Sequence, residues 1–442
     1  MKSKLLYINT YIPYPLNSGG NQAFFTITNY IRKQYDLSLL LYIHNSKDME
    51  NVKELQKLWP DVTFYLYEPH EQPKTNPYAY MPWPDRTICT VFDFLWHSLK
   101  RKVNRRVRRY NNRVAKNGEH EGDMVRSNST LFMVNEDMTS SFMEYVKLIS
   151  SKGFDIVQVE FYDYLQLVYV LPKTTKKVFV HHELRFVRNE NELQFFKHPK
   201  FTDHILFEEL KWKEIGALNA YDAVVTLTEI DKDILCRYLS PNKVFSSPAL
   251  TKTVTQERLQ FKPCKDLVFV GSGSHFPNAD GMVWFCKEVV PLLQQKDISL
   301  PTIYVTGEWK KELQEDLKKL CPTLHFTGFV DDLQQFLNGK ISVVSIRIGS
   351  GMRMKILDSI SAAAPIVTTS KGCEGLPMVH HKNCLVANSA ENFAQAIEEI
   401  LTDVKLQEQL VISAQNTETS MLNEEELFKK RTDVYNALLG NS

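Results

Sequence analysis

Glycine is scarce in this chain. Its 442 residues contain 17, roughly half of the usual share of about 7%. A chain this poor in glycine keeps it where the backbone needs it, and ten of the 17 lie between Gly271 and Gly375. Charge of one sign is also lacking. Lys plus Arg is 53 and Asp plus Glu is 52, a formal net charge of +1, which argues against a dedicated nucleic-acid binder. The seven cysteines (89, 236, 264, 286, 321, 373 and 384) are scattered, odd in number and free of any C-x-x-C. That excludes a disulfide framework and points to reduced thiols in a cytoplasmic protein. No apolar run approaches the roughly 18 residues of a membrane span. The opening MKSKLLYINTYIPYP stops at Pro13 and Pro15, too soon for a signal peptide. The motifs G-x-x-x-x-G-K-[ST], H-E-x-x-H and G-x-S-x-G are missing as well.

What is present is an ordinary globular composition, 43% apolar and 24% charged, with enough length for two or three domains. Short runs apolar on both faces alternate with helical stretches, as in parallel βαβ units. The first half carries KLLYINT (4–10), LSLLLYIH (37–44), VTFYLYE (62–68), FDIVQVE (154–160), KKVFVHH (176–182) and AVVTLTE (223–229). The second half carries DLVFVGS (266–272), PTIYVTG (301–307), TLHFTGF (323–329), ISVVSIR (341–347), PIVTTS (365–370) and NCLVAN (383–388). The expected fold is α/β, with two Rossmann-like doubly wound domains facing a cleft. Their expected limits are 1–250 and 251–422, joined near 251–264, with a terminal segment 423–442 packing back on the first domain.

The richest stretch is IRIGSGMRMKILDSISAAAPIVTTSKGCEGL, residues 346–376. A buried strand ends in the turn Gly349-Ser350-Gly351, which is expected to open a helix. Free N–H groups at a helix start attract phosphate, and Arg347, Arg353 and Lys355 add positive charge beside it. Asp358 offers a carboxylate for two sugar or ribose hydroxyls. In the first half, Gly19 and Gly20 stand between a strand and a helix, where backbone N–H groups can approach an anion. His181, His182 and Glu183 end a buried strand, the place where such sheets put cleft residues.

Residues 346–376 resemble the C-terminal signature of the GT-B glycosyltransferases of the retaining family 4 type. In that family two carboxylates stand eight positions apart. Here the second falls on Asp358 and the first on Ser350, and both depart from the usual Glu. FVGSGSHFPNADGMVWFCKEVVP (269–291) is similar to the opening strand and helix of the family's second domain, with Ser272 in its loop. FTGFVDDLQQFL (326–337) looks like the segment that holds the base, through the backbone of Phe329 and Val330. KGCEGL (371–376) resembles a cleft loop carrying Glu374, and TYIPYPLNSGGNQ (10–22) the family's glycine loop. The resemblance implies sugar transfer from a nucleotide-diphosphate sugar to a glycan or lipid-linked acceptor, with retention and without a metal or other cofactor. It places His182 on the acceptor side, Ser350 near the donor sugar, and Arg353 and Lys355 on the diphosphate. Asp331-Asp332 matches a D-x-D metal pair only loosely. A nucleotide-sugar 2-epimerase of the same fold and a non-catalytic glycan-binding scaffold are the alternatives.

One segment fits neither half. An insertion over about 78–126 carries nine Lys and Arg residues between Lys100 and Lys116 without an acid, preceded by Phe92, Phe94, Leu95 and Trp96. A solvated helix is one explanation. The other is an anionic membrane surface met through 92–116, at the inner face of the membrane. No nucleic acid is expected as a partner.

Overall fold

The structure is a computed structural model that describes residues 2–16, 19–69, 124–133, 135, 137–249, 259–296, 299–421 and 424–440. The basic insertion, including 92–116, lies outside the described residues apart from Met124–Arg126.

Thirteen strands form two wholly parallel sheets among the described residues. The first contains β1 (Lys4–Asn9), β2 (Asp36–Tyr42), β3 (Thr63–Tyr67), β4 (Ile156–Glu160), β5 (Lys176–His181), β6 (Ala223–Thr226) and β7 (Val244–Ser246), in the order β3-β2-β1-β4-β5-β6-β7. The second contains β8 (Asp266–Phe269), β9 (Ile303–Thr306), β10 (Leu324–Gly328), β11 (Lys340–Val344), β12 (Ile366–Thr368) and β13 (Leu385–Val386), in the order β10-β9-β8-β11-β12-β13. The inner strands are buried along almost their whole length. All but the first residue of β1 is buried, and so is every residue of β4 and β6. That is why these runs show no apolar–polar alternation: helices cover both faces.

Each sheet reverses its winding once, between β1 and β4 and between β8 and β11. The strands diverge there and leave a crevice at their carboxyl ends. In the first sheet the loop after β1 and Phe161 after β4 border it. In the second, 270–275 after β8 and 345–353 after β11 do so.

The helix after β11 starts at Met354 and ends at Ser361, three residues later than the turn suggests. Gly349 and Gly351 take φ of +121° and +79°, values that an α-helix cannot contain. Asp332 is the cap of the helix Leu333–Leu337 and accepts from the Gln335 N–H at 3.0 Å. The terminal helix Glu424–Leu439 lies against both halves. Val434 and Tyr435 join the apolar cluster beneath the first sheet, while Leu427 and Phe428 pack with Leu357 of the second. Among the described residues no helix is long and apolar enough to cross a membrane.

Candidate active site between the two sheets

The glycine turn is clasped by the first sheet's loops. Gly351 has a left-handed φ, and a Cβ on it would run into the His182 carbonyl oxygen. Ser350 is buried, and its Oγ accepts from the Leu184 N–H at 2.7 Å. The Ser350 N–H donates to Glu183 Oε1 at 3.4 Å and the Gly351 N–H to Asp231 Oδ2 at 3.2 Å. Two N–H groups expected to serve a phosphate are thus already held by carboxylates of the opposite domain. The turn works as a clasp, which leaves side chains rather than its N–H groups to face an anion.

Those side chains converge beside the clasp. Lys355 Nζ donates to Asn278 Oδ1 at 2.8 Å and lies 4.8 Å from the centre of the Phe269 ring. Asn278 in turn donates to the Ser272 carbonyl at 2.9 Å, tying the cation to the loop after β8. Burial and the charge of Arg353 pull the Lys355 ammonium down to about 7, against the attraction of Asp358. Asp358, one helical turn on, is pushed up to about 7 by burial, against the pull of Lys355. Arg353 donates to the Ser350 carbonyl at 2.6 Å and to the Lys371 carbonyl at 3.2 Å, while its Nη2 is buried without a partner. Burial lowers its pKa against the counter-pull of Glu183, Glu374 and Asp231.

Arg347 stands apart from this group. Its guanidinium makes a two-pronged pair with Asp280 at 2.8 and 3.1 Å and covers the Phe195 ring at 4.7 Å. A charge neutralised by a buried carboxylate and stacked on an aromatic face is a packing device. The expectation that all three cations face the same anion narrows to Arg353 and Lys355.

The remaining predicted residues lie at or beyond the carboxyl ends of strands. His182 follows β5, is partly exposed, and donates or accepts at Nε2 with Glu160 Oε2 at 2.5 Å. Its ring stacks on Phe161 at 3.8 Å and 11°. His181 is buried and bound to Glu214 at 2.7 Å, which makes it a structural histidine. Gly19 and Gly20 begin the helix Gly19–Gln34 behind the loop after β1, and a Cβ on Gly20 would lie 3.0 Å from the Tyr11 hydroxyl. Ser272 Oγ donates to the Glu308 carbonyl at 2.8 Å. Phe329 and Val330 follow β10, with Phe329 exposed. Glu374 pairs with Lys371 at 2.6 Å. Among the described residues no group of three His, Cys, Asp or Glu is arranged to hold a metal ion.

Of the carboxylates and amide that build the site, Glu183 is expected at the cleft but without a task, and Asp231 and Asn278 have no role in the sequence reading. Burial alone would raise Glu183, but Arg188 at 3.0 Å, His275, Arg185 and Arg353 hold its carboxyl down at about 2. Asp231 is raised, chiefly by burial. Asn278 stood in the quoted motif without a task. The signal for Glu183 was its place directly after the two histidines at the strand end; nothing local marks Asp231.

Residues 264–403 match the sequence model of the family described as Glycosyl transferases group 1. An uncharacterized 44.6 kDa protein in the cps region of Klebsiella pneumoniae is 27% identical over 142 residues, 30% of this chain and 36% of that protein. The match therefore spans about a third of that relative's own length. Among solved structures, TarM of S. aureus superposes with a TM-score of 0.64 at 12% identity, over 99% of this chain and all of the other. Anabaena HepE, solved in complex with UDP, gives 0.62 at 10% identity over 98% of this chain and 100% of its own. Sucrose-phosphate synthase from Thermosynechococcus elongatus gives 0.64 at 13% identity, with both chains covered completely. Identities this low speak for the fold, and the family relationship rests on the matched stretch in the second domain. The chain is a GT-B fold protein related to the group 1 glycosyl transferases.

Proposed function

We propose that the protein transfers a sugar from a nucleotide-diphosphate sugar to a glycan or lipid-linked acceptor, with retention. The observation that carries this is the pairing of Arg353 and Lys355 at the winding reversal of the second sheet, directly across the Gly349–Gly351 clasp from His182. The donor belongs to the domain 251–422 and the acceptor to 1–250. Arg353 and Lys355 meet the diphosphate and stabilise its charge as the glycosidic bond breaks, which is the largest electrostatic demand of the step. Asp358 steadies Lys355 and accepts donor hydroxyls. The backbone at Phe329 and Val330 holds the base, and Gly20, Ser272 and Glu374 border the sugar. His182 orients the acceptor or sugar, and the leaving phosphate receives the acceptor's proton on the same face. The UDP-bound relative makes UDP-sugars the first donors to try. The reaction takes place in the cytoplasm, with the segment 92–116 resting on the anionic inner face of the membrane.

A lysine lowered to about 7 is largely neutral at pH 8, and the charge of a diphosphate raises its pKa again. Donor binding at pH 8 therefore takes up about one proton, while at pH 6 it takes up close to none because the ammonium is already formed. Calorimetry in buffers of different ionisation enthalpy reads this directly. Lys355→Arg keeps a permanent charge and abolishes the uptake. Equal uptake in both proteins would show that Lys355 does not meet the anion. Incubation with donor alone separates transfer from epimerisation: released nucleoside diphosphate supports the first, an intact nucleotide carrying the C2 epimer the second. Vesicle flotation tests the surface contact; a protein that stays in the dense fraction with anionic liposomes at low salt contradicts it.

A further inference from the structure

A buried chain of hydrogen bonds joins the terminal helix to His182. Tyr7 and Tyr435 hydroxyls are 2.6 Å apart, and Tyr435 donates to Gln158 Oε1 at 2.5 Å. Gln158 Nε2 then donates to Glu160 Oε1 at 2.5 Å, and Glu160 Oε2 faces His182 Nε2 at 2.5 Å. The direction of this chain is fixed by chemistry. Tyr435 spends its one proton on Gln158, so it accepts from Tyr7. Gln158 has accepted at its oxygen, so it donates with its amide. Every donor points toward Glu160, which is fully buried. Glu160 Oε1 accepts from Gln158, and beside the buried guanidinium of Arg431, which borders the same small cavity, its Oε2 is an acceptor as well, so its remaining neighbour in the chain must donate. His182 is therefore held with its proton on Nε2, which leaves Nδ1 for the crevice.

Two further features hold this arrangement in place. Arg431, one turn before Tyr435 on the terminal helix, is buried, donates to Ser247 Oγ at 3.3 Å and has no partner at Nη1. It borders, with Glu160, His182 and Phe24, a cavity of about 20 Å³, room for one water and far too little for a sugar. A sugar therefore does not enter among these groups, and they face each other and His182. Phe161, whose ring carries His182, has φ +68° and ψ 144°, a conformation that is strained for an L-residue and persists where surrounding structure enforces it.

We infer that Tyr435, through Gln158 and Glu160, is a positioning residue that sets the tautomer and orientation of His182, so that the acceptor side is complete only with the terminal helix docked. This rests on the proposed transfer only for its kinetic consequence. Tyr435→Phe keeps the ring and removes the lead donor. With a donor that the wild type turns over, the expected result is a kcat about tenfold lower and a donor KM within twofold. In ¹⁵N spectra the His182 ring changes from the Nε2–H form to a mixture of both tautomers. Glu160→Gln, which removes the anion itself, is expected to give the same spectral change and a larger loss of kcat. Wild-type kcat and an unchanged His182 spectrum in Tyr435→Phe would overturn the inference. So would a loss of thermal stability with the tautomer intact, since that is a packing role only. If the tautomer changes as expected but no nucleotide sugar is turned over by the wild type, the positioning network stands and the transfer reading falls.

Discussion

Gly351→Ala is expected to abolish transfer and to destabilise the protein by about 2–5 kcal/mol. Two costs combine. Alanine at φ +79° is strained by about 1–2 kcal/mol, and its Cβ would be forced against the His182 carbonyl oxygen, which requires a backbone shift costing about 1–3 kcal/mol. The shift falls on the one place where the turn of the second domain and the strand end of the first interlock. It would also pull Ser350 from Leu184 and the Gly351 N–H from Asp231. Gly153→Ala is the control. It has φ +83° and nothing within 4 Å of the added methyl, so it carries the strain without the collision. Denaturant unfolding and donor turnover should separate the two variants clearly. Equal behaviour would mean that the clasp contributes nothing beyond backbone conformation.

Lys355→Ala is expected to weaken donor binding about 10- to 100-fold, the range set by a charge-assisted contact worth about 1.5–3 kcal/mol. Stability should change little. The alanine leaves Asp358 without its cation, but that carboxyl is already pushed up to about 7 by burial and takes the neutral form. Arg347→Ala should show the opposite pattern. It strands the buried Asp280 carboxylate, a loss of about 3 kcal/mol or more in stability, with donor affinity in the remaining folded protein nearly unchanged. If Arg347→Ala and Lys355→Ala weakened the donor equally, the division between a binding and a packing cation would be wrong.

The contrast between these two cations shows where sequence reading stops. Runs such as KLLYIN and IVQVE could be recognised as inner strands because burial on both faces removes polar residues from the run itself. The turn at 349–351 could be recognised because glycine, cations and a carboxylate follow one another along the chain. The partners of those cations are remote. Asp280 is 67 residues from Arg347, Asn278 is 77 from Lys355, and Glu183 is 167 from Ser350. Nothing in local spacing tells a free arginine from a paired one. The same distance hid the clasp. The turn's own N–H groups suggest an anion site, and only the fold brings Glu183 and Asp231 to them. Even the late start of the following helix was a local matter missed, since two left-handed glycines cannot lie within helical backbone.

Ser350 stands where the resemblance expects the first of two carboxylates. Its hydroxyl ties the second domain to Leu184, and anionic character at the clasp comes instead from Glu183 and Asp231 of the first domain.

The central claim is that the crevice between the two sheets takes a nucleotide-diphosphate sugar and breaks its glycosidic bond. The most direct test measures nucleoside diphosphate released from a panel of nucleotide sugars, by wild type and by Lys355→Ala, in the presence of EDTA. The account predicts release from at least one donor by the wild type, unaffected by the chelator and strongly reduced in the variant. Absence of both binding and release across UDP-, GDP-, ADP- and dTDP-sugars, or release that Lys355→Ala leaves untouched, would contradict it.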